Sequence, residues 1–142
     1  MEIVSLRLVL TEDDLNSLVS RFVTMPPKIR DLRARIIATE LALAGVYDSF
    51  LPIHFETLWK VSFDNGKIAA RLSAIKAVGV GLGFLKNYVL KAMSSNSTLF
   101  ELKDESLVFD LDRLLADMTV PIKTNLAAIS FDSECLVLEC QR

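Results

Sequence analysis

Histidine occurs once, as His54, and cysteine twice, as Cys135 and Cys140, so the nitrogen and sulfur ligands of a typical zinc or iron centre are missing. Neither cysteine suits a local disulfide. Five positions apart in a segment that reads as a strand, they point to opposite faces, and they are expected as free thiols. Long apolar runs are also lacking: none approaches the 18 or so residues a membrane-spanning helix requires. Met1 to Leu10 carries Glu2 and Arg7 within a period-two pattern, unlike the basic start and unbroken apolar stretch of a secretory leader. These absences predict a cytoplasmic location, where thiols stay reduced.

What the 142 residues do hold is apolar mass, 51% of the composition at a mean hydropathy of +0.38. That length predicts one domain, residues 1–142, with a substantial core. The net charge of −2 is unevenly spread, with ten Lys or Arg against five Asp or Glu in residues 28–91, and four against nine in residues 92–142. The basic middle is too weak and too interrupted, by Asp31 and Glu40, for a nucleic-acid surface, so no nucleic-acid partner is expected.

The clearest signal is a hairpin. Leu51 to Phe63 alternates apolar and polar, turns at Asn65-Gly66 and returns from Lys67 through Ile68, Ala70, Leu72 and Ala74. A two-residue Asn-Gly loop predicts Phe63 opposite Ile68, Val61 opposite Ala70, Trp59 opposite Leu72 and Thr57 opposite Ala74. Thirteen residues span roughly 43 Å, well beyond an ordinary strand, which implies a long, curved sheet with one apolar face. Lys60 and Arg71 fall side by side on its polar face.

Around it, the pattern predicts an opening strand over Val4 to Leu10 and a helix capped by Thr11. Leu15, Leu18, Val19, Phe22 and Val23 line one side of that helix, and Pro26-Pro27 ends it. Ile29 to Tyr47 reads as one long strand whose apolar parity switches near Thr39-Glu40, as at a β-bulge, with Gly45 near its end. Within it Lys28 and Arg30 would face away from Arg33 and Arg35, so no single basic stripe is expected. Gly79, Gly81 and Gly83 lead into a second amphipathic helix bearing Phe84, Leu85, Tyr88, Val89, Ala92 and Met93. Short strands over Thr98 to Leu102 and Ser106 to Phe109, a short third helix with Leu111, Leu114, Leu115 and Met118, and a closing hairpin of Ile122 to Phe131 and Leu136 to Cys140 complete the series.

None of the candidate chemical motifs has the required spacing. Gly79-x-Gly81-x-Gly83 lacks the third glycine position of a dinucleotide loop and follows an antiparallel hairpin rather than opening a βαβ unit. His54 sits on a polar strand face with no nucleophile nearby, and Asp110 and Asp112 stand where acids cap a helix. The expectation is a non-enzymatic protein with no catalytic residue, no metal and no cofactor.

The order of strand, amphipathic helix, a long strand ending in Leu41-Ala42-Leu43-Ala44-Gly45-Val46-Tyr47, the Asp64-Asn65-Gly66 hairpin, an apolar helix, then Ser106-Leu107-Val108-Phe109-Asp110-Leu111-Asp112-Arg113-Leu114-Leu115 and a final hairpin resembles a half unit of the tubular lipid-binding (TULIP-like) superfamily. The resemblance implies bent antiparallel strands wrapping a long helix around an apolar channel that holds lipid without covalent chemistry. A homodimer would supply the missing half.

The fold expected is α+β, a long, strongly curved antiparallel sheet wrapping two main amphipathic helices plus a short third one. The function expected is binding of a lipid-like or other hydrophobic small molecule. Trp59, Val61, Phe63, Leu72, Phe84 and Tyr88 would line the groove, and Lys60 and Arg71 would contact a headgroup, with peripheral membrane contact. A module for protein interaction or self-association, with no small ligand, is the alternative, because the same apolar surface could be covered by a partner chain.

Overall fold

A computed structural model describes residues 5–22, 28–48, 50–64, 67–77, 86–91, 101–103, 105–113, 125–132 and 134–141. The chain is α+β and its strands pair antiparallel in two sheets. The smaller has three strands in the order β1 (Ser5–Leu10), β9 (Cys135–Gln141), β8 (Asn125–Asp132). The larger has six, running β2 (Ile29–Ile37), β3 (Glu40–Asp48), β4 (Pro52–Asp64), β5 (Lys67–Ala77), β7 (Ser106–Asp110), β6 (Glu101–Lys103). Helix α1 (Glu12–Phe22) follows β1, and shorter helical segments cover residues 86–91 (α2) and 111–113 (α3). Among the described residues no helix is long and apolar enough to cross a membrane.

The two sheets share one apolar core. Phe55, Trp59, Ile68 and Leu72 of the large sheet belong to the same buried cluster as Leu136, Leu138 and Cys140 of β9, Leu15 of α1 and Val89 and Leu90 of α2. Cys140 is thus a buried thiol and Cys135 a half-buried one, and neither is in a disulfide.

Helix α1 begins as its sequence predicts. The Thr11 hydroxyl accepts from the Asp14 N–H at 3.2 Å while the Asp14 carboxylate accepts from the Thr11 N–H at 2.9 Å, a reciprocal cap that satisfies two otherwise orphaned donors. The helix lies along β2, the edge of the large sheet. Asn16 donates to the Ala34 carbonyl at 2.9 Å and accepts from the Ala34 N–H at 2.7 Å; the Glu12 carboxylate accepts from the Ile36 N–H at 2.8 Å. Two side chains thereby occupy the hydrogen-bonding positions that a further strand would take, and the edge is closed to pairing.

Three expectations are corrected here. Ile29 to Tyr47 is two strands, not one. The parity switch read as a bulge is a hairpin in which Ile37 pairs with Glu40 across Ala38-Thr39, with Ala38 at a φ of 53°. Alanine gives no sequence cue for a left-handed turn, which is why the turn was illegible. A real bulge lies earlier, where Asp31 takes a φ of 55° and the register shifts between Arg30 and Arg33. The extra residue reverses the alternation, so Arg30, Arg33 and Arg35 stand on the same outer face, opposite Val46, Ala44 and Ala42. Finally, β4 and β5 keep the expected pairs Phe63 with Ile68, Val61 with Ala70 and Trp59 with Leu72, but Thr57 faces Ile75 instead of Ala74. Ser73 bulges out and its hydroxyl donates to the Leu58 carbonyl at 3.1 Å, which lets Ile75 and Ala77 rejoin the apolar face.

Gly45 lies inside β3, opposite Phe55. A Cβ there would stand 3.0 Å from the Phe55 ring and 3.2 Å from Leu32 Cδ1, so glycine leaves the space in which the Phe55 ring crosses the strand.

Candidate functional site

The core face of the β4–β5 hairpin carries four of the six residues expected to line a groove. Its centre is closed. Phe55 and Trp59 are each 3% exposed and Leu72 6%. Thr57, wholly buried between the two aromatics, resolves the polar atoms there: the Trp59 Nε1–H donates to Thr57 Oγ1 at 2.8 Å, and that hydroxyl donates to the Leu43 carbonyl at 2.8 Å. Every proton in this relay has an acceptor, so the tryptophan can be buried at little cost.

Helix α2 lies over this face. The Tyr88 ring meets the Tyr47 ring edge-on at 5.4 Å with planes 79° apart, and Lys86 bonds Glu105, at the β6–β7 turn, at 2.9 Å. Those contacts tie α2 to β3 on one side and to the β6–β7 turn on the other. Its inner residues, Val89 and Leu90, are buried.

Of the six residues predicted to line a groove, Trp59, Leu72, Val61 and Tyr88 therefore meet in one cluster, the first two buried and the others half-buried. Phe63 shares their strand face but lies farther out, 45% exposed. Phe84 lies outside the described residues. Lys60 and Arg71 are register partners, both exposed, on the reverse face of the hairpin. They do not adjoin the apolar row, and a headgroup could reach them only around the hairpin's end.

Sequence reasoning missed the role of Thr57. A threonine on the apolar parity of a strand is a visible exception, and a tryptophan two residues on is its nearest donor on the same face, so the signal was present. It also missed the outer basic face, because that depends on the bulge at Asp31. On that face Arg30 bonds Asp48 through Nε at 3.0 Å and Asp31 through Nη1 at 2.7 Å, and Arg35 bonds Glu56 at 3.2 Å. Hydrogen bonding and charge from Asp48 push the Arg30 guanidinium above its ordinary pKa. His54 is exposed on the same face, register partner of Val46, and the Asp110 carboxylate accepts from the Asp112 N–H at 3.0 Å as a helix cap. Among the described residues, no three His, Cys, Asp or Glu side chains are placed to hold a metal ion.

No protein-family model, curated protein or solved structure matches the chain.

Proposed function

We propose that this protein binds a lipid-like or other hydrophobic small molecule, without chemistry, at the outer end of the β4 apolar row, where the sheet wraps the ligand. The observation that carries the reading is a gradient along one strand. The same face passes from Trp59 at 3% exposure, through half-buried Val61, to Phe63 at 45%, so the apolar row outruns the packed centre. A tail laid against Phe63 and Val61 gains about 0.8 kcal/mol for each methylene removed from water, enough to hold an acyl chain with no charged contact. Trp59 and Leu72 form the floor under that tail. Lys60 and Arg71 serve a headgroup that bends around the hairpin end.

The test is native mass spectrometry of the purified protein with organic extraction, followed by titration of the delipidated protein with a fluorescent fatty acid. Phe63→Glu places a charge in the tail's path at an exposed position, leaving the fold intact, and should weaken binding at least tenfold. A ligand-free protein whose fatty-acid affinity is indifferent to Phe63→Glu would end this reading.

One observation favours a second reading, self-association with no small ligand. Strand β6 is an edge of the large sheet, all three of its residues are exposed, and Leu102 is 40% exposed. Sedimentation at increasing protein concentration, with Leu102→Lys as the variant, distinguishes it. A dimer abolished by that change favours association.

A further inference from the structure

The β3–β4 hairpin ends in an unusual tip. Asp48 pairs with Pro52 to close it, and Phe50 and Leu51 stand at its end, 99% and 67% exposed. Hairpin tips ordinarily carry Gly, Asn, Asp or Ser, because solvated backbone and tight turns favour them. Here a phenylalanine is spent where it touches nothing, followed by a leucine and an exposed Pro52.

The base of the tip is braced. The Asp48 N–H donates to the Lys28 carbonyl at 2.6 Å, and Arg30 Nε bonds both Asp48 carboxylate oxygens at 3.0 Å. Arg30 pairs with both carboxylates at this base, Asp48 and Asp31, and Lys28 beside them supplies the second positive charge that brings the base to neutrality. Glu56, farther along the outer face, is paired with Arg35. Lys28 beside the tip, and Arg33 and Lys76 on the outer face, are exposed and have no carboxylate partner among the described residues. An exposed apolar pair beside a sheet face on which Arg33, Arg35 and Lys76 outnumber Glu56 matches the two layers of an anionic bilayer, apolar below and negative at the surface. Convexity also matters: a peg can enter a membrane interface, whereas a ligand groove must be concave.

We propose that the β3–β4 tip is a membrane-insertion peg. Phe50 and Leu51 enter the interface of an anionic bilayer while Lys28, Arg33 and Lys76 hold the outer face of the large sheet toward its headgroups. The peg stands on residues separate from the Phe63 surface, so it is independent of any ligand there.

Co-sedimentation with vesicles of phosphatidylcholine alone, and of phosphatidylcholine mixed with phosphatidylglycerol, tests it on the full chain. The wild-type protein should partition onto the mixed vesicles and much less onto the neutral ones. Phe50→Ser with Leu51→Ser should lower that partition about a hundredfold, from the lost apolar burial of two large side chains. Lys28→Glu with Arg33→Glu should lower it by more than tenfold and abolish the preference for phosphatidylglycerol. Both variants alter only exposed side chains, and circular dichroism and thermal melting should match the wild type. No partition of the wild-type protein, or partition unchanged by the Phe50 and Leu51 substitutions, overturns the proposal. So does a shift of the Phe50 and Leu51 variant to a smaller oligomer without an effect on vesicles, which would make the tip a protein contact.

Discussion

Replacing Thr57 by valine exchanges a hydroxyl for a methyl group of the same shape and so isolates the polar relay beneath Trp59. Without the hydroxyl, the Trp59 indole N–H, in a side chain 3% exposed, has lost its acceptor, and the Leu43 carbonyl has lost a donor. A buried donor left unmade costs about 1–3 kcal/mol, and no cavity offsets or adds to it, so the expected loss is about 2 kcal/mol. For a domain of this size that lowers the melting temperature by roughly 6–10 °C. Thr57→Ser keeps the relay and removes one methyl group, for about 1 kcal/mol. The stricter assay is a double-mutant cycle followed by denaturant titration with far-ultraviolet circular dichroism, a signal that survives loss of the single tryptophan. In a Trp59→Phe background no indole N–H remains to be orphaned, so Thr57→Val should cost about 1–2 kcal/mol less than it does in the wild type. A Thr57→Val cost below about 0.5 kcal/mol, or the same cost in both backgrounds, refutes the argument.

Asn16→Ala should destabilise by about 2 kcal/mol in the same assay, because it strips the donor and acceptor that Asn16 gives to the Ala34 backbone. It should also increase aggregation measured by light scattering, since the β2 edge would be open to another strand. Gly45→Ala should cost about 1–3 kcal/mol, because a methyl group 3.0 Å from the Phe55 ring and 3.2 Å from Leu32 makes both packed side chains give way. Gly45→Ala combined with Phe55→Leu should recover part of that loss, and an equal or larger loss in the double variant would contradict the proposed clash.

Legibility followed sequence distance and the strength of local cues. The Asn65-Gly66 hairpin was readable to the level of residue pairs as far as Trp59 with Leu72, since the turn fixes register outward from itself. It failed beyond Ser73, although Leu72 and Ile75, three apart, carried the trace of the bulge. The Thr11 cap was equally local and equally legible. The Ala38-Thr39 turn was hidden because neither residue is a usual turn former, and that one error merged two strands. Trp59 and Leu72 were correctly placed on the apolar face, but alternation reports a face and not its depth, so their burial beside exposed Phe63 could not be read from it. The exposed Phe50 belongs to no repeat, and periodicity says nothing about residues outside one.

Pairing of β1 with β9 sets Ser5 against Gln141 and Leu10 against Leu136. During synthesis, β1 has no partner strand until β9 is in place. At about 5–20 residues per second, the 124 residues between Leu10 and Cys135 impose a wait of roughly 6–25 s. The large sheet, whose successive hairpins β2 to β5 need only neighbours, can assemble on the ribosome meanwhile, leaving Leu8 and Leu10 and the core positions awaiting β9 exposed to chaperones. A nascent chain stalled before Cys135 would therefore hold β1 without its partner strand, with that side of the shared core still open.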